Sequence, residues 1–92
     1  MSNKIIVKQI SEQEKDALDL NTWGFWEKGV SEFPWQYDSQ ETCYILKGRA
    51  EIKDLDTGDV VEIKAGDLVV FESGLKCQWD IKEAIEKYYK FD

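Results

Sequence analysis

Ninety-two residues fit one domain, and a chain of this size buries only about 60–65% of its unfolded surface; four Trp, four Tyr and four Phe offset that by supplying large apolar areas. Nineteen acidic residues against twelve basic ones leave a net charge of -7, which repels polyanions and argues against a nucleic-acid partner. Histidine is absent, removing the commonest metal ligand and the usual neutral-pH proton shuttle, so acid–base or nucleophilic work falls to Glu, Asp, Lys, Tyr or Cys.

Met1-Ser2-Asn3-Lys4 lacks the basic stretch and apolar run of a signal peptide. No segment approaches the roughly 18 apolar residues of a membrane span. A cytoplasmic protein with no membrane partner is expected, and its two isolated cysteines, Cys43 and Cys77, are expected to be reduced.

Residues 4–8, rich in β-branched side chains, read as a first strand. Ser11-Glu12-Gln13-Glu14 then has capping-box spacing and predicts a short helix ending near Leu20. From Trp23 onward the turn signals are those of an all-β domain. They recur at Gly29, Asp38-Ser39, Lys47-Gly48, Asp56-Thr57-Gly58-Asp59, Ala65-Gly66-Asp67 and Ser73-Gly74. Strand-like runs lie between them at 33–37, 41–46, 49–54, 60–64, 68–71 and 75–81, and the tail from 80 to 91 is taken as a closing strand. With no linker or repeat, residues 1–92 form a single domain.

Period-two alternation separates the faces. Ala50 and Ile52 turn inward, as do Cys77, Trp79 and Ile81. The run from Glu41 is apolar on both sides: Cys43 and Ile45 share a face with Glu41, and Tyr44 and Leu46 occupy the other. A strand of that kind is covered on both faces, which predicts a second layer or a subunit interface and hence a homodimer.

Two spacings carry a resemblance. Gly29, Trp35, Tyr37, Glu41 and Gly48 stand at the intervals of G-x5-H-x-H-x3-E-x6-G, with aromatics in both histidine positions. Gly66, Glu72, Gly74, Cys77 and Ile81 stand at those of G-x5-P-x-G-x2-H-x3-N, with Cys77 in the histidine position. The region 29–81 thus resembles the two motifs of the cupin superfamily. The Trp35/Tyr37/Glu41 and Cys77-Gln78-Trp79 combinations are similar to small single-domain cupins grouped with ureidoglycine aminohydrolases and ethanolamine-utilisation cupins. The resemblance implies a small double-stranded β-helix, or jelly-roll barrel, with inward side chains at these positions lining a pocket at its mouth. It also implies small-molecule chemistry.

That family's usual three-His-one-Glu metal set is replaced by Trp35, Tyr37, Cys77 and Glu41. Trp cannot ligate, neutral Tyr is a poor ligand, and two remaining donors do not make a closed site, so no metal and no other cofactor is expected. The candidate catalytic residues are Glu41 as general acid or base, Tyr37 as hydrogen-bond donor and Cys77 as a thiol. Trp35, Trp79 and Cys43 are the candidate substrate-binding residues. Each also has a plainer role as packing; Cys77 in particular has no base to activate it. The aromatic set Trp23, Phe25, Trp26 and Phe33 reads first as core, with a ligand cage or an interface as the alternatives.

Three functions stay open on the sequence. One is a metal-independent cupin that binds, and as an enzyme transforms, a small polar metabolite. Another is a divergent metalloenzyme built on Glu41 and Cys77. The third is a non-catalytic module for oligomerisation or partner binding.

Overall fold

The computed structural model describes residues 2–92. Strand β1 (Ile5–Gln9) is followed by a short helix α1 (Glu12–Asp16) and a 3-10 turn (Leu20–Thr22). Six further strands complete the chain: β2 (Gly24–Lys28), β3 (Ser31–Gln36), β4 (Glu41–Asp54), β5 (Val60–Lys64), β6 (Asp67–Phe71) and β7 (Lys76–Phe91). All pairings are antiparallel. The main path runs β1-β6-β4-β7-β2, with β3 added to β7 and β5 to β4. This is the expected all-β jelly roll, and the path has two free ends, so hydrogen bonding does not close it into a ring.

The capping box forms: Glu14 N donates to Ser11 Oγ at 3.1 Å and Ser11 N to Glu14 Oε1 at 3.2 Å. The helix nevertheless stops at Asp16, short of Leu20. Asp19, with φ 55°, lies in the left-handed region and breaks the run before the 3-10 turn.

Two long strands organise the molecule where the sequence suggested several short ones. The expected turn at Lys47-Gly48 is absent: β4 runs straight through it, with register shifts against β7 between Ile45 and Ala50. Gly48 has φ 96°, and a Cβ there would collide with the Ala84 carbonyl oxygen. Such a bulge re-aims the strand, so the inward set changes from Glu41, Cys43 and Ile45 to Ala50, Ile52 and Asp54. The tail is strand, as expected, and continuous with the run before it; β7 keeps Cys77, Trp79, Ile81, Ile85 and Lys87 inward. Strand β2, which pairs with its far end, has no counterpart among the sequence-based runs.

The core contains Ile45, Ala50, Ile52, Ile63, Val69, Phe71, Leu75, Ile81 and Ile85, all without solvent exposure. Tyr44, on the other side of β4, is also buried, and Lys15 Nζ lies 5.6 Å from its ring centroid. Lys15 of the N-terminal segment thus helps to cover Tyr44 from within the chain. Asp54 ties down the opposite end, accepting from Ser2 Oγ at 2.7 Å and from Asp56 N at 2.9 Å.

Candidate functional site

The site is a cavity of about 210 Å³ where β2, β3, β4 and β7 converge. Its walls are Trp26, Phe33, Trp35, Tyr37, Glu41, Trp79, Lys87, Tyr89 and Phe91. Pockets for drug-sized ligands measure roughly 300–1,000 Å³, so this smaller volume suits a small metabolite.

Strand register assembles the walls. Phe33 faces Trp79 across β3 and β7, and their rings stack at 6.0 Å with planes 10° apart. Trp26 pairs with Lys87 across β2 and β7. Tyr37, just after β3, is fixed by backbone bonds to Leu75 O (2.9 Å) and from Gly74 N (2.7 Å), and its ring stacks on Phe71 at 4.9 Å. Tyr89 packs over Gly24, where a Cβ would come within 2.6 Å of its ring.

One ion pair stands inside this aromatic enclosure. Lys87 Nζ donates to Glu41 Oε2 at 3.1 Å, with side-chain exposures of 6% and 5%. The same ammonium lies 4.8 Å from the Trp26 ring centroid and 4.9 Å from that of Trp79. Burying an ammonium is costly unless water is replaced, and here a carboxylate and two indole faces replace it. Glu41 Oε1 is buried and has no hydrogen-bond partner among the described residues. The Tyr37 phenol lies close enough to Glu41 for the carboxylate to act on it through its charge and a weak hydrogen-bond interaction, while Oε1 has no partner at full hydrogen-bond geometry. Burial pushes the Tyr37 phenol above its ordinary range, and the Glu41 charge pushes it further the same way. The phenol therefore stays protonated and is available as a donor.

Of the sequence candidates, Glu41, Tyr37, Trp35 and Trp79 meet in the cavity wall. Trp35 stands at the edge, 51% exposed. Cys43 and Cys77 do not line the cavity: both are free, fully buried thiols in the core behind it. Burial pushes each up to about 12, with Lys87 opposing and Glu41 reinforcing it at Cys43, and Asp54 and Glu41 reinforcing it at Cys77. Cys77 spends its S–H on the Trp35 carbonyl at 3.4 Å.

Lys87 and Tyr89 are site residues that the sequence reading passed over, and Trp26 and Phe33, read first as core, are walls as well. The signal for Lys87 was present. Once the tail is a strand, residue 87 shares the inward parity of its neighbour Ile85, although Glu83, of the same parity, is exposed where the register against β4 shifts.

The donor set does not fit a metal. Among the described residues no group of three His, Cys, Asp or Glu side chains gathers as ligands. Glu41, the one cavity carboxylate, already faces a lysine ammonium, and Cys77 is turned into the core.

Residues 15–89 match the family model described as the EutQ-like cupin domain. The chain belongs to the EutQ-like cupin family. Its fold is similar to that of a solved DUF861-family protein from Thermotoga maritima, at TM-score 0.91 and 40% identity, covering 96% of this chain and 99% of that one. A putative ethanolamine utilization protein Q from Salmonella typhimurium matches at TM-score 0.67 and 17% identity, over 95% of this chain and 68% of that one. The Clostridium difficile EutQ protein matches at TM-score 0.67 and 20% identity, over 95% and 66%. The last two likenesses speak for the fold alone. No curated protein sequence gives a match.

Proposed function

We propose that this cupin is a metal-independent small-molecule-binding protein whose cavity takes a small polar metabolite, with Glu41 as acid–base where a reaction follows. The observation that supports it is Glu41 Oε1, a buried carboxylate oxygen without a donor in the wall of an aromatic cavity. Leaving such an atom unsatisfied costs about 1–3 kcal/mol, a cost that a ligand donor removes. Lys87 engages Oε2 and leaves Oε1 as the carboxylate oxygen without a donor. Tyr37 supplies a protonated hydroxyl, and Trp35, half exposed in the cavity wall, offers a face for stacking.

The chemistry that this set can perform is proton transfer. Glu41 Oε1 takes a proton from a ligand C–H or O–H and returns it to a neighbouring atom, while Tyr37 donates to the oxygen that gains charge. Isomerisation and addition of water are both within that scheme. Against the metal-dependent alternative built on Glu41 and Cys77 stands the position of Cys77, which is not among the residues lining the cavity. A cytoplasmic setting and a homodimer remain part of this proposal. With Tyr44 covered from within the chain, the dimer now rests on exposed side chains such as Phe25 and Val30, and a monomeric mass by light scattering contradicts it.

A thermal-shift screen of metabolites on wild type and Glu41→Gln tests the function. A compound at a hundredfold its Kd adds about 2.7 kcal/mol of stability. Stabilisation of wild type that is lost in Glu41→Gln is the expected result. Silence across the screen moves the cavity to a purely structural role.

A further inference from the structure

We infer that the ligand of this cavity is a small primary amine, bound as its ammonium on Glu41 Oε1 and carrying an apolar or aromatic body. This rests on the reading of the cavity as a small-molecule site. The molecule already shows how the enclosure treats an ammonium. Lys87 is held by one carboxylate oxygen at 3.1 Å and two indole faces at 4.8 and 4.9 Å, almost out of water. The second oxygen of that carboxylate is buried and has no hydrogen-bond partner among the described residues, and Trp35, Tyr37, Tyr89 and Phe91 are further walls of the cavity that Glu41 lines. Half of a two-ammonium site is therefore filled by the chain itself.

Electrostatics decide the sign of the ligand. An anion would meet Glu41 and a chain of net charge -7, and the lysine that would greet it is already engaged by Glu41 and the two indoles. A cation meets the free oxygen at about 3 Å, while the Lys87 charge lies about 5 Å or more away across the carboxylate. Coulomb energy falls as the inverse of distance, so the attraction exceeds the repulsion. The π faces add to it. A cavity of about 210 Å³ takes a single ring with a short arm.

Benzylamine, benzyl alcohol and benzoate share a ring of the same size and carry charges of opposite sign or none at neutral pH, and Trp fluorescence reports their binding. Benzylamine is expected to bind at least about tenfold more tightly than benzyl alcohol, with benzoate weakest. Glu41→Gln removes that preference. Lys87→Met frees both carboxylate oxygens for the ligand, so it binds benzylamine more tightly than wild type and is stabilised by it to a greater extent in a thermal melt. Trp35→Ala, a change at an exposed wall, leaves the fold intact and weakens benzylamine, which keeps the inference testable if the buried variants do not fold. Benzyl alcohol or benzoate equalling benzylamine overturns the amine, as does weaker binding by a folded Lys87→Met. If benzyl alcohol binds and benzylamine does not, the small-molecule reading stands and the amine falls. Failure of all three probes overturns the amine, and the metabolite screen then judges the small-molecule reading separately.

Discussion

Glu41 shares its carboxylate unequally: Oε2 accepts from Lys87 at 3.1 Å, and Oε1 has no donor among the described residues. Removing either partner strands a charge in an enclosure of rings. Glu41→Leu or Lys87→Met alone is expected to cost about 3–5 kcal/mol in urea unfolding, and the double replacement to cost clearly less than the two singles together. Equal additivity would mean that the pair is not coupled. The thiols give a second test. Cys43 and Cys77 are pushed up to about 12 by burial, so each holds its proton in the folded state through pH values where the unfolded thiol, near 8.5, has lost it. Above that point the folded state binds more protons than the unfolded one, and stability falls as pH rises. The contribution is complete below about pH 8.5 and is lost progressively towards pH 12. Tyr37 adds to the same fall above about pH 10, because its phenol is raised as well. Melting temperature is expected to decline over this window, less steeply in Cys43→Ala/Cys77→Ala, and iodoacetamide is expected to label the native protein far more slowly than the unfolded chain. At the residue scale the sequence made Glu41, Tyr37 and Trp35 legible because they stand at motif positions, and Trp79 because alternation puts it on the face of Cys77 and Ile81. It did not separate cavity from core for Cys43 and Cys77, since both environments lie on the inward face.

The strands β4 and β7 carry the architecture, and both were read from the sequence in pieces. Lys47-Gly48 has the composition of a turn, and its glycine is indeed at positive φ, but the backbone uses it for a bulge. The two outcomes share the same local requirement, so only the pairing of Lys47 and Arg49 with β7 distinguishes them. Gly48→Ala is expected to destabilise by about 2 kcal/mol or more, because a Cβ meets the Ala84 carbonyl and the φ of 96° is strained. A loss below about 0.5 kcal/mol, the range of ordinary surface changes, would show that the bulge relaxes freely. Strand β2 escaped the sequence reading because Gly24-Phe25-Trp26-Glu27-Lys28 lacks clean alternation. Its pairing with the end of β7 is what seats Trp26 beside Lys87.

At the scale of the molecule, a fold whose family motifs mark histidine positions holds a lysine ammonium against its glutamate. Metal analysis of protein purified without a His-tag is expected to give a stoichiometry near zero, and added Zn²⁺ or Mn²⁺ to leave the melting temperature unchanged; a bound equivalent of metal contradicts this. The four tryptophans supply the most direct test of the cavity itself. Trp26, Trp35 and Trp79 line it, and Trp23 lies outside with Lys90 Nζ 4.8 Å from its ring centroid. Indole N–H resonances followed by ¹⁵N–¹H NMR, while the tightest compound from the metabolite screen is added, should show the three cavity tryptophans shifting together and Trp23 holding still. Shifts confined to Trp23, or equal at all four, would contradict the assignment of this cavity as the ligand site.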